Sequence, residues 1–341
     1  MPSYLQNQAR IKQIPSFYTP SQVARYLAII KFEPTISTDD VTSQFQTSAE
    51  NLERVVHGHL LTFPWENTAM HYTHNHNMDI SPDGLYRRFI DEGKGSYCFG
   101  QNTLLLGILR GLGYRAYSGA ARVNANFQHP EKEPDYTFLT HMVVFVQPGS
   151  ESRETLVVDV GFGAYGLVRP IPLSESQDSW VYGAFSTEAH RLTRTLPFNS
   201  SLDASGQKKW NLEIGSVSED GVPQHDKPWK LMYSFTEEEF SLRDYEDANV
   251  VVSHNPRPNF FSENVLAVKY IRDEKSRKQG DMSRVTLLGK EVRRIGWAGS
   301  EVLCMLETEL DRLDALKRYF GIDIPREDIA NIQGRHLALP L

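Results

Sequence analysis

Apolar positions along the first third of the chain recur at helical spacing. In residues 21–32 they fall at 23, 26, 27, 29 and 30. Residues 52–63 follow Thr47-Ser48-Ala49-Glu50, which has the spacing of a capping box. Ser81-Pro82 supplies an N-cap and a proline at the first helical position, and Gly93 ends that segment. The most apolar run has apolar residues at 99, 104, 105, 106, 108, 109 and 112 and is closed by Gly111 and Gly113. The pattern predicts a mostly buried helix within a bundle of about four or five helices.

From Tyr114 the period changes. Residues 114–123, 141–147 and 155–160 are rich in β-formers and bounded by turn residues. Residues 148–152 suit a hairpin loop. If Gln147 pairs with Arg153, His141 falls directly opposite Asp159 on one face, with β-carbons ~5 Å apart. A one-residue slip would put the two on opposite faces. Residues 192–194 and 210–213 predict further strands around a polar stretch, 199–209, that reads as an exposed loop. A third region opens near Pro228, with strands around 265–271 and 284–295. A late helix over 308–320 ends at Gly321 and has Leu310, Leu313, Leu316 and Phe320 on its apolar face. The tail to Leu341 shows no strong period.

The chain of 341 residues is 40% hydrophobic, enough for a large core in one to three domains. The net charge of -7 argues against nucleic acid as the main partner. Its two cysteines, Cys98 and Cys304, are too few for a disulfide framework or a cysteine zinc site. No basic start leads into an apolar core, and no apolar run approaches the ~20 residues of a membrane span. A soluble, cytoplasmic protein is the expectation.

Candidate chemistry centres on Lys94-Gly95-Ser96-Tyr97-Cys98. Cys98 sits at or near a helix N-terminus, where the partial positive charge favours a thiolate and free amides can bind an oxyanion. A buried structural cysteine fits the same position. Asp159 lies within the apolar run 156–160, where a solvent-facing charge is out of place and a partner is needed. His141 is the nearest candidate; a turn held by backbone amides is the alternative. Glu66, between Trp65 and Asn67, reads as a placed carboxylate on a buried loop or as a solvated helix end. His71, His74 and His76 read as an exposed loop, with no metal site expected. Cys304 reads as a packing residue, and residues 237–239 as a solvated acidic face.

Cysteine, histidine and aspartate on a helix start and two strands make a nucleophile, base and orienter set. With these motifs the sequence resembles the arylamine N-acetyltransferase family. That family carries Arg-Gly-Gly-x-Cys with an asparagine four residues on, matched by Lys94 to Cys98 and Asn102. Its Phe-Glu-Asn element is matched by Trp65 to Asn67, and its Val-Asp-Val-Gly-Phe-Gly element is present residue for residue at 158–163. Tyr233 to Thr236, Asp244 to Glu246 and Asn249 resemble its third domain. Lys94, Ser96 and Gly100 depart from the pattern, standing where arginine, glycine and glutamate or glutamine are usual.

The resemblance implies an α+β fold: an N-terminal helical bundle, a central β-barrel and a C-terminal α/β lid around a cysteine-protease-like core. The expected domains are 1–115 with the cysteine, 116–230 with the histidine and aspartate, and 231–341 as the lid. It implies catalysis by Cys98, His141 and Asp159. Substrate contacts are expected from Phe162, Thr140, Tyr97 and Phe63, and coenzyme A contacts from Thr137 and Arg257. Phe162 equally suits core packing. No permanently bound cofactor is expected. Acyl-CoA is the co-substrate, and arylamines or arylhydrazines are the acceptors. The implied reaction is ping-pong acetyl transfer from acetyl-CoA through a Cys98 thioester, in xenobiotic detoxification. Malonyl-CoA is the alternative donor. A cysteine hydrolase or transglutaminase-like enzyme, or an idle binding protein on the same fold, are the rival readings.

Overall fold

The computed structural model describes all residues except 1–2, 42, 199, 203–207, 219, 225–226, 255–258, 275 and 277–279. Most of the expected loop over 199–209 therefore lies outside the described residues. The first layer is helical. Thr19 and Gln22 form a reciprocal capping box on Pro20–Ile29, which also begins with proline. Ala49–Thr62 follows, but its cap is Ser48, whose side chain accepts from Asn51 N–H. The expected box from Thr47 to Glu50 is thus one residue out of phase. Ser81 caps Pro82–Tyr86, which widens into a π-helical turn over Arg87–Asp91.

Cys98–Gly111 is the central helix, and its side chains are buried from Cys98 through Leu109. An apolar stripe would cover only one face; burial on every side follows because helices flank it on one side and the barrel closes the other. Leu242–His254 also packs against it, with Tyr245 5.7 Å from Phe99 between ring centres.

The barrel is an antiparallel sheet of eight strands, nearly closed. Its order is Ile171–Pro172, Leu156–Val158, Tyr136–Gln147, Arg115–Asn124, Lys230–Phe235, Lys209–Ser216, Glu188–Thr195 and Trp180–Tyr182. Lys230–Phe235 was grouped by sequence with the third region, but it pairs on both edges inside this sheet. A second antiparallel sheet of five strands runs Trp65–Glu66, Leu266–Arg272, Met282–Leu288, Glu291–Gly296 and Gly299–Met305. Its first strand comes from the helical layer, so this sheet ties the two ends of the chain together. The late helix, Glu309–Ala315, has a capping box from Thr308 and Asp311; a π turn, Leu316–Phe320, ends at Gly321 with φ +75°.

The hairpin register differs from the expected one. Val144 pairs with Val158 and Val146 with Leu156, so pairing is shifted by two residues and stops before Asp159. A shift of two preserves the face on which each side chain stands. His141 and Asp159 therefore still lie on one face, but as diagonal rather than directly opposed residues.

Candidate active site

The Cys98 backbone opens the central helix, with extended Tyr97 as its N-cap. The preceding turn is clamped from below. A β-carbon on Gly95 would overlap the Pro64 carbonyl, and Ser96 bridges to Trp65. Gln101 Nε2 donates to the carbonyls of Pro64 (2.7 Å) and Ser96 (3.1 Å). Glu66 is fully buried. It accepts from Arg88 Nη2 and Thr68 N–H, each at 2.6 Å, while Arg88 Nε donates to the Gly95 carbonyl at 2.6 Å. The placed-carboxylate reading of Glu66 holds; the solvated helix end does not.

Cys98 is 4% exposed, and its thiol donates to the Thr140 carbonyl at 3.4 Å, one residue before His141. His141 Nε2 meets Asp159 Oδ2 at 2.7 Å, with both side chains buried. The same carboxylate takes three more donors: Tyr233 O–H on Oδ2 at 2.9 Å, and Asn102 Nδ2 (2.9 Å) and Gly161 N–H (2.8 Å) on Oδ1. Asn102 Oδ1 in turn accepts from Val160 N–H at 3.0 Å. Asn102 thus fastens the Asp159 segment one helical turn beyond the cysteine. Gly161 is required at its position, since a β-carbon there would lie 2.8 Å from Cys98 Cα and O.

Burial pushes the Cys98 thiol up, and the Asp159 charge adds to this; the backbone amides of Phe99 and Cys98 act in the opposite direction. The helix end, which by sequence favours a thiolate, is the weaker influence in this closed site. For Asp159 burial alone would raise the pKa. The His141 charge and the hydrogen bonds from His141, Asn102 and Gly161 outweigh it and hold the carboxyl below its usual range.

Phe162 is half-buried and stands edge-on to the His141 ring, 5.4 Å between centres at 89°. It also touches Tyr233 and Phe127. Thr140 and Thr137 share a hydroxyl hydrogen bond of 2.7 Å on the same strand, both half-buried. Tyr97 is fully buried, and its hydroxyl is engaged by Asn249 Oδ1. Phe63 packs among Tyr26, His59 and Phe89 inside the helical layer. Tyr97 and Phe63, expected as substrate contacts, are thus both buried and packed against neighbouring side chains. Arg257 lies outside the described residues. Lys94 pairs with Glu92 at 3.4 Å.

His71 is buried, not on an exposed loop. Its Nε2 meets the carbonyls of Phe261 (3.1 Å) and Asn264 (3.0 Å), and burial lowers its pKa to about 3. No group of potential metal ligands occurs among the described residues. No helix among them is long and apolar enough to cross a membrane.

A family model described as N-acetyltransferase matches residues 48–329. The chain belongs to the arylamine N-acetyltransferase family. An N-malonyltransferase of Fusarium pseudograminearum is 27% identical over 328 residues, 92% of each chain. An arylamine N-acetyltransferase of Mycolicibacterium smegmatis is 26% identical over 247 residues, 72% of this chain and 75% of that one. Among solved structures, the Salmonella typhimurium arylamine N-acetyltransferase superposes with a TM-score of 0.70 at 18% identity, covering 92% and 98% of the two chains. The Mycobacterium marinum enzyme in complex with CoA gives 0.65 at 22% identity, covering 92% and 96%. The chain is an acyltransferase of this family, whose members use acyl-CoA as co-substrate.

Two of its departures from the arylamine N-acetyltransferase pattern explain each other. A β-carbon on Gly100 would overlap the hydroxyl and β-carbon of Ser96 and come within 2.8 Å of Leu85 Cδ2. Ser96 fills the space that a side chain at 100 needs. Gly100→Ala is expected to cost about 1–3 kcal/mol by overpacking. In a Ser96→Gly background at least about 1 kcal/mol should return. Urea unfolding of the four variants measures this; strict additivity would sever the link between the two positions.

Proposed function

We propose that the chain transfers an acyl group from acyl-CoA to the nitrogen of an aromatic amine or hydrazine, through a thioester on Cys98. The observation that carries this reading is the His141 imidazole fixed by the Asp159 carboxylate, on the strand whose Thr140 carbonyl receives the Cys98 thiol. Nε2 is committed to Asp159, so Nδ1 takes the sulfur's proton. The thiolate attacks the donor thioester carbonyl, the carbon–sulfur bond to coenzyme A breaks, and coenzyme A leaves with a proton from His141. The amine nitrogen then attacks the Cys98 thioester. His141 accepts its proton and returns it to sulfur as the amide forms. Asp159 keeps the imidazole in one tautomer and stabilises its charged form. Phe162 and Phe127 supply an aromatic wall suited to an arylamine.

For the donor we propose malonyl-CoA over acetyl-CoA, because the similarity to an N-malonyltransferase spans more of the chain than that to an arylamine N-acetyltransferase. A charged hydrogen bond to the malonyl carboxylate contributes ~1.5–3 kcal/mol, which makes about a tenfold preference the expected minimum. Steady-state turnover with both donors and one arylamine tests this. Equal or greater kcat/KM for acetyl-CoA would remove the malonyl assignment. Coenzyme A release that needs no amine would mark a hydrolase.

A further inference from the structure

The loop after Asp159 is held in an unusual way. Its alternate carbonyls are met by side-chain donors from three separate strands. Trp65 Nε1 donates to the Gly161 carbonyl at 2.7 Å, and Tyr270 O–H to the Gly163 carbonyl at 2.7 Å. His190 Nε2 meets the Tyr165 carbonyl at 2.9 Å. Trp65 and Tyr270 belong to the five-stranded sheet and His190 to the barrel. A longer turn bond, from Gly166 N–H, also meets the Gly163 carbonyl at 3.3 Å.

The fastening is close and rigid. Gly163 has φ +88°, and a β-carbon there would sit 3.4 Å from the Trp65 ring, so the backbone lies against the indole. Behind the loop, buried Arg284 pairs with Glu188 and places its guanidinium 4.8 Å from the centre of the Tyr165 ring. Burial disfavours a charged His190, and a neutral ring facing a carbonyl must carry its proton on Nε2. Phe162 stands between two of the pinned carbonyls, edge-on to the His141 ring.

We propose that Trp65, Tyr270 and His190 are positioning residues for the amine step: by holding the carbonyls at 161, 163 and 165 they fix the Phe162 ring against the imidazole and so set which aromatic acceptors are used. This rests on the acyl-transfer reading above. A loop fixed only for stability would leave acceptor choice unchanged when a donor is lost.

Tyr270→Phe and Trp65→Phe each remove one donor and keep a ring, and His190→Gln keeps a donor. Two quantities separate the half-reactions: the rate of coenzyme A release on first exposure to acyl-CoA, and the KM for each of several arylamines. Tyr270→Phe should raise amine KM by about fivefold and the Trp65→Phe/Tyr270→Phe double variant by about tenfold, changes of ~1–1.4 kcal/mol. The order of acceptors should move toward that of Phe162→Ala. First-exposure coenzyme A release should stay within about twofold, and His190→Gln should stay near wild type, as expected for a retained donor. Unchanged amine KM and acceptor order, with only a lower Tm, would overturn the proposal, as would equal slowing of both half-reactions. A wild-type chain that forms no acyl-enzyme would overturn the proposed function and this inference with it. A wild type that forms one while Tyr270→Phe keeps its acceptor order overturns this inference alone.

Discussion

Cys98→Ala is expected to reduce acyl transfer by about a millionfold, the scale on which a covalent mechanism loses its nucleophile. The substitution takes one sulfur and its bond to the Thr140 carbonyl from a buried site and leaves the bonds around Asp159 in place. Asp159 keeps its contacts with His141, Asn102, Gly161 and Tyr233, none of which involves sulfur. Stability should therefore fall modestly, by about 1 kcal/mol for the small cavity. Near-complete loss of transfer with a nearly unchanged unfolding midpoint is the expected pair of results. Comparable activity in the alanine variant would mean that the amine attacks the donor directly and that the sulfur is a packing atom.

Asp159→Asn should lower kcat/KM by about ten-thousandfold, the cost of the corresponding exchange in a serine-based triad. The physical reason is specific to this carboxylate. Both oxygens are acceptors only: Oδ2 faces His141 and Tyr233, and Oδ1 faces Asn102 and Gly161. An amide NH2 at either position confronts donors with a donor. Turned toward His141, it forces the imidazole proton onto Nδ1, the nitrogen that must accept from sulfur. The same carboxylate also contributes to acid sensitivity. Its pKa in the folded chain lies below the ordinary 3.8, so the stability it supplies is present above that pH and is lost as pH falls through the lower folded value. Unfolding midpoints measured from pH 5 downward should fall less steeply in Asp159→Asn than in the wild type. A parallel fall would assign the acid sensitivity to other carboxylates.

Much of this site was legible in the chain itself, and the failures have identifiable causes. Cys98 at a helix start could be read because an apolar run follows it closely and its end is marked by glycine. The His141 and Asp159 partnership was reached through a hairpin register that proved two residues out. The missing information was the N-terminal segment: Thr155 N–H donates to the Ser3 carbonyl and Tyr4 bridges to Glu154, so 154 and 155 pair there and the hairpin loop is longer. Because the error was even, the face was still right.

The sequence places Tyr233 in the third region, whereas its strand pairs inside the barrel. Its local pattern identifies a strand, whereas membership of the barrel depends on pairing with residues 121–123, over a hundred positions away. The same limit hid Arg88 as the partner of Glu66 and Tyr270 as a donor to Gly163. An arginine or tyrosine on an amphipathic element carries no mark of the carbonyl or carboxylate it will meet. The burial of Tyr97 and Phe63 was hidden for a different reason. Proximity in sequence to the cysteine or to Glu66 says nothing about which way a ring turns once the helical layer closes.

The most direct test is intact-mass and peptide-mass analysis of the wild-type chain after incubation with acyl-CoA and no amine. The chain should gain the mass of one acyl group, located on the peptide containing Cys98, and lose it when an arylamine is added with stoichiometric amide formed. An acyl group on another residue, or amide formation with Cys98 never modified, would contradict a mechanism in which this sulfur carries the group between donor and acceptor.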